Sequence, residues 1–215
     1  LYFFQILFLH FALKHCELIR VLVVYLKMDW DDLCETYKID ALFCSNGPGD
    51  PAHPGKATDA RHTLAKATKS GMPVMGICLG HQLMGLASGL RTYKLRYGHR
   101  GGNQPVLDLH TRKVSITSQN HGFAVEDPVK GMLAPHPSGA NSGEVESLTG
   151  CDVEVRFINA NDRTVEGLDV KGRPAFTIQY HPEACPGPHD ANPLFDRFAN
   201  LVEEHMEVKA DAKTR

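Results

Sequence analysis

Residues 73–87 read PVMGICLGHQLMGLA, and the fold follows from how they divide. Pro73 to Ile77 is a short apolar run suited to a buried strand, while Leu79 to Ala87 has the composition and spacing of a helix. Between them stands Gly76-Ile77-Cys78-Leu79-Gly80, a G-x-C-x-G pattern and the thiol counterpart of the nucleophile elbow. A strand that turns at once into a helix strains the backbone at the turn and lifts that side chain above the sheet. Glycines on either side remove Cβ atoms that would clash in so tight a turn. The start of the helix favours negative charge on the sulfur, and the Leu79 backbone N–H is placed to receive a developing oxyanion. Cys78 is therefore a candidate nucleophile.

Working outward, short apolar runs alternate with helical stretches. Ile19 to Tyr25 and Ala41 to Cys44 read as strands, and Asp59 to Ser70 reads as a helix with Gly71 at its C-cap. This alternation predicts an α/β fold with a largely parallel central sheet and flanking helices. The second half looks more antiparallel, with strands expected at Val114 to Thr117, Val153 to Ile158, Thr164 to Asp169 and Ala175 to Tyr180. A last helix is expected from Pro193 to His205, and residues 206–215 read as a polar tail or linker. Pro135 to Gly150, rich in Pro, Ser, Gly and Asn, reads as a solvated loop.

Composition narrows the function. The chain has 215 residues, 42% apolar and 22% charged, with a formal net charge of −2. That is ordinary for a globular domain and lacks the basic excess of a nucleic-acid binder. Six cysteines occur without a C-x-x-C pair, which excludes the usual zinc knuckle and suits a reducing, cytoplasmic setting. Twelve histidines occur without an H-E-x-x-H spacing, so no metal is expected. Leu1 to Leu13 is apolar but too short to span a bilayer as a helix, and it lacks the marks of a signal peptide. Residues 1–18 read as a buried helix or a truncation scar, since the chain begins with Leu.

A cysteine nucleophile needs a base and a group to orient it. His181-Pro182-Glu183 follows the Ala175 to Tyr180 run, and alternate residues of an extended chain point to the same side, so His181 and Glu183 are expected to face one site unless Pro182 forces a sharper turn. A rigid loop, Ser45-Asn46-Gly47-Pro48-Gly49-Asp50-Pro51, follows another strand at the edge where open α/β sheets place their sites.

Together these elements resemble the class I (triad) glutamine amidotransferases, of flavodoxin-like fold. More closely, they resemble the glutaminase domain of glutamine-hydrolysing carbamoyl-phosphate synthetase. The matching segments are SNGPGDP (45–51), PVMGICLGHQLMGLASG (73–89), YGHRGGNQPV (97–106), TSQNHGFAV (117–125) and QYHPEACPGPHDANPLFDRF (179–198). The resemblance implies an amidotransferase domain over residues 19–205, with Cys78 as nucleophile, His181 as general base and acid, and Glu183 orienting it. It also implies an oxyanion hole from the Gly49 and Leu79 amides, and a glutamine site formed by Gly47, Gly49, Leu79, Gln82, Asn120, Gly122 and Phe123.

The implied reaction is hydrolysis of L-glutamine to glutamate and ammonia through a cysteinyl thioester, with no cofactor in this chain. The ammonia would pass to carbamoyl-phosphate synthetase domains, fused or separate, where ATP and magnesium are expected, for pyrimidine or arginine synthesis. The sequence departs from the family pattern in lacking a D-C-G-I-K-like first strand and in a longer Pro135 to Gly150 loop. It also shows neither an amino-terminal small-subunit domain nor an ATP-binding domain. Neither a membrane nor a nucleic acid is an expected partner. The alternative readings are a silent glutamine-binding regulatory module, another thiol hydrolase on the same fold, and a structural fragment without a competent site.

Overall fold

Strand β2 (Val74–Ile77) is buried along its whole length and divides the core. Met75 and Ile77 pack on one face with Phe176, Ile178, Phe195, Phe198 and Val202. Val74 packs on the other with Trp30, Leu64, Ala67, Leu83 and Met84. The period of two in an extended chain produces this split, so a four-residue strand serves two helical layers. The computed structural model describes residues 30–37, 39–53, 56–130, 146–184 and 193–214. The N-terminal segment, the expected strand from Ile19 to Tyr25, most of the Pro135 to Gly150 loop and residues 185–192 lie outside these.

In chain order the remaining elements are α1 (Trp30–Tyr37), β1 (Leu42–Cys44), α2 (Lys56–Ser70), α3 (Leu79–Ala87), β3 (Thr92–Asp108) and β4 (Val114–Val125), followed by β5 (Val153–Asn159), β6 (Val165–Val170), β7 (Ala175–Ile178), a 3-10 turn (Pro182–Ala184) and α4 (Pro193–Thr214). The sheet order is β1-β2-β7-β6-β4-β3-β5. Helices α1, α2 and α3 contribute to the Val74 face, and α4 lies on the other.

The expectation of a largely parallel sheet is corrected among the described residues. Strands β1, β2 and β7 run parallel, but the pairs β7–β6, β6–β4, β4–β3, β3–β5 and β5–β6 are antiparallel. Connection length gives the reason. Helix α2 carries the chain from β1 back to a parallel β2, whereas short turns join β3 to β4, β5 to β6 and β6 to β7 and leave only antiparallel neighbours within reach. Because β5 pairs with both β3 and β6, strands β6, β4, β3 and β5 close upon one another.

Two strands are longer than their local sequence suggests. The run from Thr92 to Asp108 gives no alternating signal around Gly98, Gly101 and Gly102, yet it forms a 17-residue strand with register irregularities at Lys94/His99 and Gly101/Gln104. Strand β4, expected only to Thr117, continues to Val125 because β3 supplies a partner along most of its length. The expected polar tail also differs. Residues 206–214 continue α4, and Lys209 Nζ meets Asp40 Oδ1 at 2.9 Å.

The closest packing in this half lies at the elbow. A Cβ on Gly80 would collide with the Cys44 carbonyl at the end of β1, and one on Gly76 would come within 2.8 Å of the Gly80 backbone. Gly80→Ala should therefore destabilise the fold by about 3 kcal/mol or more, since a backbone carbonyl cannot step aside as a flexible side chain would. Urea denaturation would show it; an unchanged midpoint would contradict the close approach.

Candidate active site

Cys78 sits between β2 and α3 with φ 52° and ψ −98°, a conformation that L residues with a Cβ rarely adopt. Two backbone hydrogen bonds hold it there. Its N–H donates to the Ile178 carbonyl at 2.8 Å, and its own carbonyl accepts from the Gln82 N–H at 3.1 Å. The side chain is almost covered, at 6% exposure, at the N-terminal end of α3.

The first of these bonds ties the elbow to β7, and three residues beyond Ile178 the chain reaches His181. The His181 N–H donates to the Ser118 carbonyl at 2.8 Å, which anchors it to β4. His181 Nδ1 lies 2.7 Å from Glu183 Oε1. Pro182 and Glu183 begin the 3-10 turn, and that turn keeps His181 and Glu183 on one side. Burial opposes protonation of His181, but the adjoining Cys78 and the Glu183 carboxylate outweigh it and raise the ring well above an ordinary histidine. His181 Nε2 and Glu183 Oε2 are buried without a hydrogen-bond partner that meets the geometry among the described residues. With Nδ1 committed to Glu183, Nε2 is the nitrogen left for the sulfur and for a substrate. The structure thus brings together the three residues expected as a triad.

The loop after β1 is drawn in by the Gly80–Cys44 contact. Gly47 lies against Leu79, whose Cδ2 a Cβ on Gly47 would meet at 2.8 Å. Gly49 has φ +108°, a value that favours glycine. Asn120 and Gly122 follow Ser118 at alternate positions along β4, on the side-chain face set by the strand's period.

Gln82 is almost fully buried, and its Nε2 donates to the Phe123 carbonyl and to Gln179 Oε1, each at 2.9 Å. Phe123 is thereby fixed to α3, and any substrate contact from Gln82 falls to its Oε1.

Behind this site runs a polar network that the sequence reading did not anticipate. His121 Nδ1 is 2.7 Å from the Phe123 carbonyl and its Nε2 is 3.0 Å from Gln119 Oε1. Burial chiefly lowers His121 to about 4, helped by the charges of His99 and His181. His99 lies between two carboxyl groups, with Nε2 2.8 Å from Asp162 Oδ2 and Nδ1 3.2 Å from Glu166 Oε1. Burial works against its charge, but the hydrogen bonds to Asp162 and Glu166 and the charge of Asp162 raise it to about 10. Asp162, despite some desolvation, is held down to about 2 by His99 and the Thr164 hydrogen bonds. His81, fully buried beside the elbow, bonds Thr177 Oγ1 through Nδ1 at 2.8 Å, and burial lowers it to about 3. His99, His121 and Glu166 offer ligand atoms within 4.8 Å of one another. The four ring nitrogens are each already engaged by a protein oxygen, and a cation would have to break those bonds. The signal for this network was present in the Q-N-H-G-F segment, but its partners come from β3 and β6.

Comparison with known proteins agrees with this geometry. The family model described as glutamine amidotransferase class-I matches residues 8–201. The carbamoyl phosphate synthase small chain of Methanocaldococcus jannaschii is 47% identical over 188 residues, covering 87% of this chain and 46% of that one. Those of Bacillus caldolyticus and Thermotoga maritima are 50% and 43% identical, over 77% and 86% of this chain and 39% and 49% of theirs. The chain thus spans less than half the length of these curated relatives. A solved structure of a putative GMP synthase subunit from Thermoplasma acidophilum superposes with a TM-score of 0.68, covering 93% of this chain and 88% of that one. At 18% identity that likeness speaks to the fold alone.

The His99–Asp162 pair gives a signed pH dependence. A raised histidine stabilises fully below its ordinary pKa near 6.5 and loses that contribution as pH rises through about 10. A depressed carboxyl stabilises above about 3.9 and loses its contribution as pH falls toward about 2. The stability difference between the parent and Asp162→Asn should therefore be greatest between about pH 4 and about pH 6.5 and should shrink toward pH 10. Denaturation midpoints across that range would show it; a difference independent of pH would refute the pairing.

Proposed function

The chain belongs to the class I glutamine amidotransferases, and on that premise we propose that it hydrolyses L-glutamine through Cys78 and supplies the ammonia to a carbamoyl-phosphate synthetase. The observation that carries the reading is a cysteine held at positive φ on a strand-to-helix elbow beside a histidine whose far nitrogen is bonded to a carboxylate. The amidotransferase domain is assigned to residues 19–205. The parallel β1–β2–β7 half, with helices on both faces, supports its flavodoxin-like, elbow-bearing layout.

Glutamine enters over the elbow, held by Gly47, Gly49, Leu79, Gln82, Asn120, Gly122 and Phe123. Protonated His181 stabilises negative charge on the Cys78 sulfur, which attacks the side-chain amide carbon. The oxyanion is received by the Leu79 and Gly49 N–H groups, each such donor being typically worth ~3 kcal/mol. His181 gives a proton from Nε2 to the leaving nitrogen, and ammonia departs. Nε2 then takes a proton from water, the hydroxide attacks the thioester, and glutamate leaves as the sulfur is restored. Glu183 Oε1 accepts from Nδ1 throughout, holding the ring's orientation and stabilising its charged form.

This chemistry needs neither metal nor cofactor from the chain. ATP and magnesium belong to the synthetase partner, whose large chain or fused domains would receive the ammonia. The setting proposed is the cytoplasm. No helix among the described residues is long and apolar enough to cross a membrane. The partner's identity is supported by the similarity to carbamoyl phosphate synthase small chains.

Glutamate release from glutamine should be detectable with the parent and lost in Cys78→Ala. Glu183→Gln should lower kcat by roughly a hundred- to ten-thousandfold with little change in KM. Equal release by the parent and Cys78→Ala would reject Cys78 as the nucleophile. Release only after a synthetase large chain is added would place activation in the partner.

A further inference from the structure

The Phe123 carbonyl is held by two donors. Gln82 Nε2 reaches it from α3 at 2.9 Å, and His121 Nδ1 reaches it along β4 at 2.7 Å. A carbonyl can only accept, so His121 Nδ1 carries a proton. His121 Nε2 lies 3.0 Å from one end of the Gln119 amide, and the other end of that amide lies 3.0 Å from Glu166 Oε2. Glu166 Oε1 in turn lies 3.2 Å from His99 Nδ1. This makes a continuous relay from a fully buried carboxyl on β6 to the main chain of the segment proposed to hold glutamine.

Donor and acceptor counting restricts the protonation of the relay. With both Glu166 and His121 unprotonated at the facing atoms, either end of the Gln119 amide leaves one acceptor against another. If its NH2 turns to Glu166, its oxygen faces the bare Nε2 of His121. If its NH2 turns to His121, its oxygen faces a carboxylate. One proton resolves the conflict, carried either by His121 as an imidazolium or by Glu166 as a carboxylic acid.

The surroundings favour Glu166. It is 0% exposed, and burial raises its carboxyl even against the bonds from His99, Asn159 and Gln119. His121 is lowered to about 4, with the charge of His99 against it at a ring separation of 4.9 Å. Asp162 is the more exposed carboxylate and is the partner of the His99 charge. The other titratable groups that bear on this cluster are Tyr93 on β3, Tyr180 and His181 after β7, and His81 on α3. With the Gln119 amide turned so that its NH2 faces His121, every step is then a matched pair. Glu166 O–H donates to Gln119 Oε1, Gln119 N–H donates to His121 Nε2, and His121 Nδ1–H donates to the Phe123 carbonyl. With the amide so turned, the Thr117 hydroxyl, 3.2 Å from the same end of the amide as Glu166, gives its proton to Gln119 Oε1 only by releasing the Gln104 carbonyl, to which it donates at 2.9 Å.

We propose that Glu166 is a positioning residue for the substrate-binding segment, acting as a neutral hydrogen-bond donor whose relay through Gln119 and His121 fixes the Asn120–Phe123 backbone. It touches neither substrate nor reacting atoms, and its role rests on the glutamine reading above. Loss of its proton at high pH returns the acceptor-against-acceptor conflict and loosens the segment, so KM for glutamine rises while kcat is little changed.

Glu166→Gln is the discriminating variant, because an amide is always a neutral donor of similar shape. Steady-state kinetics of glutamine hydrolysis would be measured for the parent, Glu166→Gln, Glu166→Ala and Gln119→Met from neutral to alkaline pH. In parallel, the backbone amide resonances of residues 120–124 would be followed by NMR. Glu166→Ala and Gln119→Met should raise KM about tenfold, the loss expected from one buried hydrogen bond, and shift those resonances. Glu166→Gln should keep both near the parent and remove the alkaline rise in KM. If Glu166→Ala fails to fold, Gln119→Met, which leaves the charged groups untouched, makes the same comparison. The proposal is overturned if Glu166→Gln behaves like Glu166→Ala, or if Gln119→Met leaves KM and the resonances unchanged. A parent that does not hydrolyse glutamine even with a synthetase large chain added would sink the proposed function, while the resonances would still decide the relay.

Discussion

The site depends on how closely α3 approaches the end of β1. Only a residue without a Cβ lets the α3 backbone lie against the Cys44 carbonyl, and the rest of the constellation is built outward from that contact. The Ser45 to Pro51 loop begins one residue beyond Cys44, so it emerges beside the elbow and places Gly47 against Leu79. The Cys78 N–H reaches Ile178 on β7, and His181 follows three residues later. Cys78, His181 and the loop therefore follow three neighbouring parallel strands, at their C-terminal ends. The strain at Cys78, with φ 52°, persists because both sides of the turn are fastened.

Behind the elbow the interior is polar where a small α/β domain would ordinarily be apolar. Gln82, Gln179, Gln119, His81, His121 and Glu166 are all buried on α3, β4, β6 and just beyond β7. Each such group costs stability unless its hydrogen bonds are made. Because the bonds are directional, they select one arrangement of strands more sharply than apolar packing would. Within the network, charge is separated by exposure. Asp162 and His99 form an ion pair near the surface, while burial favours the neutral forms of Glu166, His121 and His81. His181 differs because Cys78 and Glu183 beside it favour its cation.

The antiparallel half and the parallel half do different work. Strands β1, β2 and β7 present the elbow, the loop and the His181–Glu183 pair, and their side chains form both faces of the core. Strands β3, β4, β5 and β6 close upon one another and hold the Asn120–Phe123 segment from behind. Ser118, whose carbonyl accepts from the His181 N–H, is one place where the two halves meet. The segment proposed to hold glutamine is thus carried by a different sheet geometry from the Cys78 elbow.

Much of the parallel half was legible because its signals are local. Glycines two residues either side of Cys78, an apolar run before it and helical spacing after it are read within fifteen residues, and they place β2, the elbow and α3 correctly. The His181-Pro182-Glu183 spacing was read from the period of an extended chain, whereas Pro182 to Ala184 form a 3-10 turn that still brings Glu183 Oε1 to 2.7 Å from His181 Nδ1. Strand β3 was not legible, because its Gly-rich centre carries no alternation and is held by pairing with β4 and β5. The proportion of antiparallel pairing was misjudged for a related reason: strand direction is set by which distant segments become neighbours. The relay through Glu166, Gln119 and His121 joins β6 to β4 across a sequence separation of 47 residues at its longest step. By itself the sequence determined the strand, the turn at Cys78 and the helix after it, since backbone sterics and periodicity act over a few residues. Only the tertiary structure decided which buried polar groups meet and which of them keep a proton, because hydrogen-bond partners and burial are properties of chain segments brought together by folding.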